Sequence, residues 1–225
     1  MNMTSIFVLE RSLGGKYDTE FVQADPVRLG VAPRCAVCGA ATGMRPWLPP
    51  HRAELIVHGD GFGDVAYGPS ASFLFSARLM DAYQAEKLRG LQGFEPVEIV
   101  RIQPKRLAGL APTYVHVRAT LSQAALDDSA SGVTRTVDKP CPMCRSDGLG
   151  KVARVVLETE TWGDEDVFEA RGLPGVTLAS PRFRAFVEHH RLTNVTLTPA
   201  EKYSMDFTRP AMNQLRSVRS DQGQI

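Results

Sequence analysis

The chain has 225 residues, 43% hydrophobic and 23% charged, and its 26 Lys and Arg against 25 Asp and Glu leave a formal net charge of +1. That length supports one large domain or two small ones, each with its own core. Balanced charge without a long basic run argues against nucleic acid as the main partner, and no apolar stretch is long enough to span a bilayer.

Met1–Glu10 has no basic segment followed by a long apolar one, so no secretory signal and a cytoplasmic protein are expected. Ile6–Leu9 is β-prone, Gly14 and Gly15 turn the chain, and a weaker extended stretch lies at Phe21 and Val22. A Cys-x-x-Cys pair follows at Cys35 and Cys38, bracketed by Pro33 and Gly39. Between Met44 and Ser70 the density of proline and glycine predicts mostly loop, with one strand at Glu54–Val57. Phe73–Phe75 predicts a strand leading into Ser76, the N-cap of a helix. Leu79, Met80, Tyr83 and Leu88 form its apolar face, and Gly90 and Gly93 stop it. Pro96–Ile102 and Tyr114–Arg118 alternate as partly exposed, paired strands. The polar stretch from Ser122 to Lys139 reads as a loop that delivers a second pair, Cys141 and Cys144.

Val152–Leu157 predicts another strand, followed by an acidic turn containing Trp162, Asp164, Glu165 and Asp166. Val176–Leu178 is then a strand, Ser180 a cap and Pro181 the first helical residue, where its missing N–H costs nothing. Phe183, Phe186 and Val187 form the helix face, Asn194 ends the turn, and Val195–Leu197 is a strand. Both helical segments follow one plan: strand, Ser-x-Arg-apolar, helix, turn, strand. They predict two copies of a β–α–β module, by internal duplication or by chance recurrence of a common pattern.

The four cysteines carry the main chemical signal. Two Cys-x-x-Cys turns with no odd thiol complete the tetrahedral shell of one structural zinc ion. The long interval between the pairs is unusual, because it makes the metal tie an N-terminal segment to mid-chain. Redox motifs fit less well, since neither pair leads into a helix that would lower a thiolate pKa, and disulfides would need an oxidising compartment. Catalytic patterns are thin. His51, His58 and His116 have no metalloprotease spacing, residues 58–64 read as a Gly/Asp turn, and His189–His190 suits a helix end.

With its two knuckles in place, the chain resembles the bacterial double-CxxCG-motif immunity proteins, best known among myxobacterial paralogues. The resemblance spans about residues 6–203. It rests on Cys35–Gly39 and Cys141–Cys144, and on a C-terminal pattern of Asp166-Val167-Phe168, Gly172-Leu173-Pro174-Gly175, Ser180-Pro181-Arg182-Phe183 and Leu192-Thr193-Asn194-Val195. Arg145 stands where the second motif has glycine. The resemblance implies a cytoplasmic, non-catalytic protein that binds and neutralises a cognate toxin.

The expected fold is therefore α+β: mixed and antiparallel sheets with two β–α–β-like modules, stapled by a split zinc ribbon. One domain would cover 1–206, with knuckles at 33–45 and 139–150, modules at 71–120 and 151–203, and a mobile tail at 207–225. Cys35, Cys38, Cys141 and Cys144 are the expected Zn²⁺ ligands. Trp162, Asp164, Glu165 and Asp166 are the candidate toxin contacts, an aromatic anchor beside steering acids; the alternative is that Trp162 covers the core beside the strand at Val152–Leu157 and the acids form a solvated turn. Neither nucleic acid nor membrane is expected as a partner, and the oligomeric state is open. An alternative to immunity is a zinc-ribbon adaptor in another cytoplasmic complex.

Overall fold

A computed structural model describes residues 5–208, so the expected tail lies outside the described residues from 209 onward. The fold is α+β and mostly sheet, with two α-helices among the described residues. The first half contains β1 (Phe7–Glu10), β2 (Thr19–Gln23), β3 (His51–Val57), β4 (Val65–Tyr67), β5 (Phe73–Ser76), α1 (Ala77–Ala85) and β6 (Leu91–Gln103). The second contains β7 (Tyr114–Ala125), β8 (Thr134–Arg135), β9 (Leu149–Val152), β10 (Val167–Arg171), β11 (Thr177–Ala179), α2 (Pro181–His189), β12 (Thr196–Pro199) and β13 (Met205–Asp206).

The main sheet runs β12-β1-β11-β10-β7-β5-β4-β2-β3-β6, and β6 pairs again with β7, so strands β2 to β7 close into a barrel. β8, β9 and β13 form a small separate sheet. Closure leaves two sides to each barrel strand. Phe21, Ala53, Leu55, Ala66, Leu74 and Tyr114 face a shared interior with Trp47. Val65, Phe73, Phe75, Val115 and Val117 face outward onto Leu79 and Tyr83 of α1 and Phe183 and Phe186 of α2. A third cluster, with Val8, Leu126, Phe168, Leu173 and Leu178, fills the other side of the second half.

The two β–α–β segments are related by more than pattern. β7 lies between β5 and β6, antiparallel to both. β1 lies between β11 and β12, again antiparallel to both. Each half thus lends its leading strand to the β–α–β unit of the other. Helix starts match as well. Ser76 caps α1 by accepting from Leu79 N, and Ser180 caps α2 by accepting from Phe183 N. A buried aspartate holds each cap: Ser76 Oγ donates to Asp64 and Ser180 Oγ to Asp166, each at 2.9 Å. Arg78 and Arg182 complete the two clusters through ion pairs with the same aspartates.

The contacts then cross between halves. Arg78 donates to the His190 carbonyl after α2, and Arg182 to the Glu86 carbonyl after α1. Thr193 N donates to Asp64 and Arg89 N to Asp166. Glu86 and His190, 104 positions apart, pair with each other at 2.6 Å. Each helix ends in a left-handed residue, Lys87 or Arg191, with Leu88 N or Leu192 N bonded five residues back, the Schellman pattern. Reciprocal contacts of this kind relate the two halves by an approximate twofold exchange of strands and clasps.

Several expectations need correction. α1 ends at Ala85, so Leu88 sits buried in the Schellman turn and not on the helix. The strand expected at Val152–Leu157 stops at Val152, because buried Ser131 takes the N–H groups of Ala153, Arg154 and Val156. The loop expected from Ser122 begins as strand, since β7 runs on to Ala125 beside β10. The glycine-rich stretch before Ser70 conceals β4 and the first residues of β3.

Replacing either aspartate tests the double clasp. Asp166→Ala, which strands Ser180, Arg182 and Arg89 N, is expected to lose roughly 3 kcal/mol in urea unfolding, as is Asp64→Ala. Ser180→Ala, which removes only a cap, should lose about 1 kcal/mol. Aspartate variants no weaker than the cap variant would show that the clasp contributes nothing.

Candidate metal centre

Both knuckles are tight turns with the same internal bond. Gly39 N donates to Cys35 O and Arg145 N to Cys141 O, each at 2.9 Å. Closing such a turn requires a left-handed residue, and Gly39 (φ 74°) and Arg145 (φ 56°) both adopt that conformation. For Arg145 the conformation is strained. Its guanidinium donates to the Leu126 carbonyl and pairs with Glu158, contacts that hold an arginine where glycine was expected. The second knuckle therefore keeps the geometry of the first.

The four sulfurs converge, and all lie within 4.8 Å of one another. Cys35 and Cys141 Sγ are 3.8 Å apart, and Cys38 and Cys144 Sγ 3.6 Å. Each thiol faces its counterpart in the other half, so the cluster sits where the halves are related. A disulfide needs sulfurs about 2 Å apart, and these are free thiols. A metal with bonds of about 2.3 Å to four sulfurs places them roughly 3.8 Å apart. Cys35, Cys141 and Cys144 are buried and Cys38 is more open.

Backbone N–H groups of Cys38 and Val37 hold the Cys35 thiol down at about 6. The Ala40 N–H acts on Cys38 in the same sense, but burial and the three neighbouring thiols outweigh it and push Cys38 up to about 12. The turn is built to stabilise thiolate, yet thiolates this close repel unless a cation lies between them. The cluster can hold a metal ion.

The acidic turn is less open than its sequence suggests. Asp166 is buried at 2% exposure and spends its oxygens on the α2 clasp, so as a steering charge it is corrected to a structural one. Trp162 stacks on Phe168 with ring centroids 5.8 Å apart and donates to the Glu165 carbonyl. Glu165 is half-buried and accepts from Ser122 Oγ. Asp164 alone is exposed, in an ion pair with Arg89.

A second group had no spacing signal at all. His51 and His116, both buried, lie with ring centroids 4.7 Å apart, and Trp47 packs edge-on to each. Glu95 Oε2 is 3.4 Å from His51 Nε2. Burial, with lesser effects from His51 and Arg118, pushes His116 down to about 4 and keeps it neutral near pH 7. His116 and Trp47 line a cleft of about 540 Å³ between the first knuckle's loop and the sheet, together with Arg118 and Glu169. Burial pushes Glu169 up to about 7. His189 and His190 meet Glu86 at the helix ends, and among the described residues no helix is long and apolar enough to cross a membrane.

No model of a known protein family matches the chain, and no curated protein matches it either.

Two measurements follow from this geometry. Cys35→Ser and Cys141→Ser should each abolish the metal held at the cysteines and lower unfolding stability by more than about 3 kcal/mol, because metal binding is coupled to folding. A chelator should shift the wild-type midpoint and leave Cys35→Ser unmoved; full metal content in either variant would overturn the four-thiolate site. Glu169→Gln reads the cleft. A carboxyl raised in the fold destabilises the protein as pH rises from its unfolded value near 4.5 to about 7. The variant should gain stability across that window, up to roughly 3 kcal/mol above it, and nothing below pH 4. A flat difference across the titration would exclude a buried, uncompensated Glu169.

Proposed function

We propose that this chain is an immunity protein, binding and neutralising a cognate bacterial toxin without catalysis of its own, and that its four-cysteine cluster holds Zn²⁺. The observation that supports the reading is that the two knuckles, whose motifs carry the resemblance, meet in one cluster. Four soft thiolates with no protein-free coordination position suit zinc, which is redox-inert and prefers a tetrahedral shell. Its role is structural: it fixes Cys35–Cys38 to Cys141–Cys144 and so holds the surface between the halves. A cytoplasmic setting keeps these thiols reduced.

The C-terminal pattern behind the resemblance also has a physical account. Asp166, Ser180 and Arg182 form the α2 clasp. Gly172 and Gly175 take positive φ, and Asn194 donates to the Thr19 and Val65 carbonyls. These residues maintain the fold and leave recognition to others. Asp164 is the acid still available for steering. Val37 (63% exposed) and Met143 (47%), matching positions inside the two knuckles, add apolar contact beside the metal; exposed methionine suits adaptable interfaces.

The test is co-expression with the product of an adjacent toxin-like reading frame. Wild type should relieve toxicity and co-purify as a stable complex carrying about one zinc per chain. Val37→Asp with Met143→Asp, or Asp164→Lys, should keep fold and zinc while weakening protection. Zinc without rescue would remove the immunity reading and leave the adaptor in its place. Rescue with cobalt or iron but not zinc at the cysteines would remove the metal assignment alone.

A further inference from the structure

We infer a second metal site, distinct from the cysteines: His51, His116 and Glu95 bind a divalent first-row transition ion through nitrogen and oxygen. Their candidate donor atoms all lie within 4.8 Å of one another. His51 is 2% exposed and His116 4%, yet His51 Nδ1 and His116 Nε2 are buried with no hydrogen-bond partner among the described residues. Buried ring nitrogens without partners are costly and uncommon. His51 Nε2 lies 3.2 Å from the Trp47 carbonyl. The tautomer that donates to this carbonyl leaves Nδ1 a bare lone pair, the arrangement by which a second-shell carbonyl orients a ligating histidine. Glu95 is the solvent-facing member, its side chain 45% exposed with Oε2 3.4 Å from His51 Nε2. Two imidazoles and a carboxylate suit zinc, nickel, copper or ferrous iron and select against calcium and magnesium.

The duplicated architecture supplies an internal control. Leu74 pairs with His116 across β5 and β7, as Leu178 pairs with Val8 across β11 and β1. Glu95 faces His116 on β6, as Thr198 faces Val8 on β12. The equivalent positions in the sheet around α2 are therefore Val8 and Thr198, with Val8 2% exposed in an apolar cluster. This strand arrangement packs well with valine. A histidine in its place, beside a second buried histidine and an acid, is not explained by packing.

The site also has access. His51 and Glu95 border an opening of about 510 Å³ with Pro49, Pro50 and residues 96–98, and His116 borders the 540 Å³ cleft on the other side. Three protein donors leave coordination positions open to water or a small anionic ligand, unlike the closed cysteine shell.

The test titrates cobalt(II) chloride into the full chain after one equivalent of zinc has filled its cysteines. Wild type should take up one more equivalent at micromolar cobalt, with visible d–d bands, no thiolate charge-transfer absorption, and shifted His51 and His116 ring ¹⁵N resonances. His116→Val, which places in this half the residue its counterpart already carries, should fold normally and weaken that binding by more than about tenfold. Glu95→Gln, at a more exposed position, should weaken it without affecting stability. Cys35→Ser should lose the zinc and, where it stays folded, retain the histidine signal, separating the two sites. No nitrogen-and-oxygen cobalt signal in wild type up to millimolar metal, or equal binding by His116→Val and Glu95→Gln, would overturn the proposal.

Discussion

Four sulfurs held within 4.8 Å of one another constrain this molecule more than any other contact. Neither knuckle can complete the cluster, because each half supplies one thiol to each facing pair. The halves must both be folded and docked before the sulfurs meet. Once met, they repel as thiolates until a cation neutralises them. A metal placed there stabilises the docked state of both halves at once, and a disordered half would release it. This is the coupling of metal binding to folding seen in small metal domains, extended over a chain long enough to have cores of its own.

The exchange of β1 and β7 reinforces the same dependence. Each helix packs over a sheet whose middle strand comes from the other half. Each helix start is secured by an aspartate that also accepts a backbone N–H from beyond the other helix. Removing one half would leave a β–α–β unit without its central strand and a buried carboxylate without its donors. Here the exchanged strands and crossed clasps bind each half to the other.

How far the sequence discloses this depends on the range of each interaction. Ser76 and Ser180 were readable as caps because a cap is local, and the Ser-x-Arg pattern exposed the repeat. The cysteine pairs were readable because metal chemistry restricts spacing within each turn. Strand exchange and barrel closure were not readable, since they depend on which distant strand lies beside which. Asp166 misled for a related reason. It ends an acidic run that resembles a solvated turn, and the carboxylate becomes structural only when Ser180 and Arg89 N reach it from other elements. Arg145 looked like a defect in the second knuckle, yet side-chain contacts to Leu126 and Glu158 keep the backbone in the left-handed form glycine would take. His51, Glu95 and His116 had no pattern to find, because β3, β6 and β7 bring them together only in the folded barrel.

Symmetry gives the departures their meaning. Where the halves agree, as in the caps, clasps, helix ends and knuckles, the shared residues answer to the fold. Where they differ, the fold no longer dictates the choice, and Val8 against His116 is the sharpest such difference in the core. It lies close to the shared centre as well. Residues 39–46 link Cys38 to Trp47, whose ring packs on both histidines and whose carbonyl faces His51 Nε2. The loop fixed by the thiolates is thus the loop that roofs the histidine pair. With metal at both, a closed sulfur site would hold that roof and an open nitrogen-and-oxygen site would lie beneath it, the first setting the geometry and the second left free to bind.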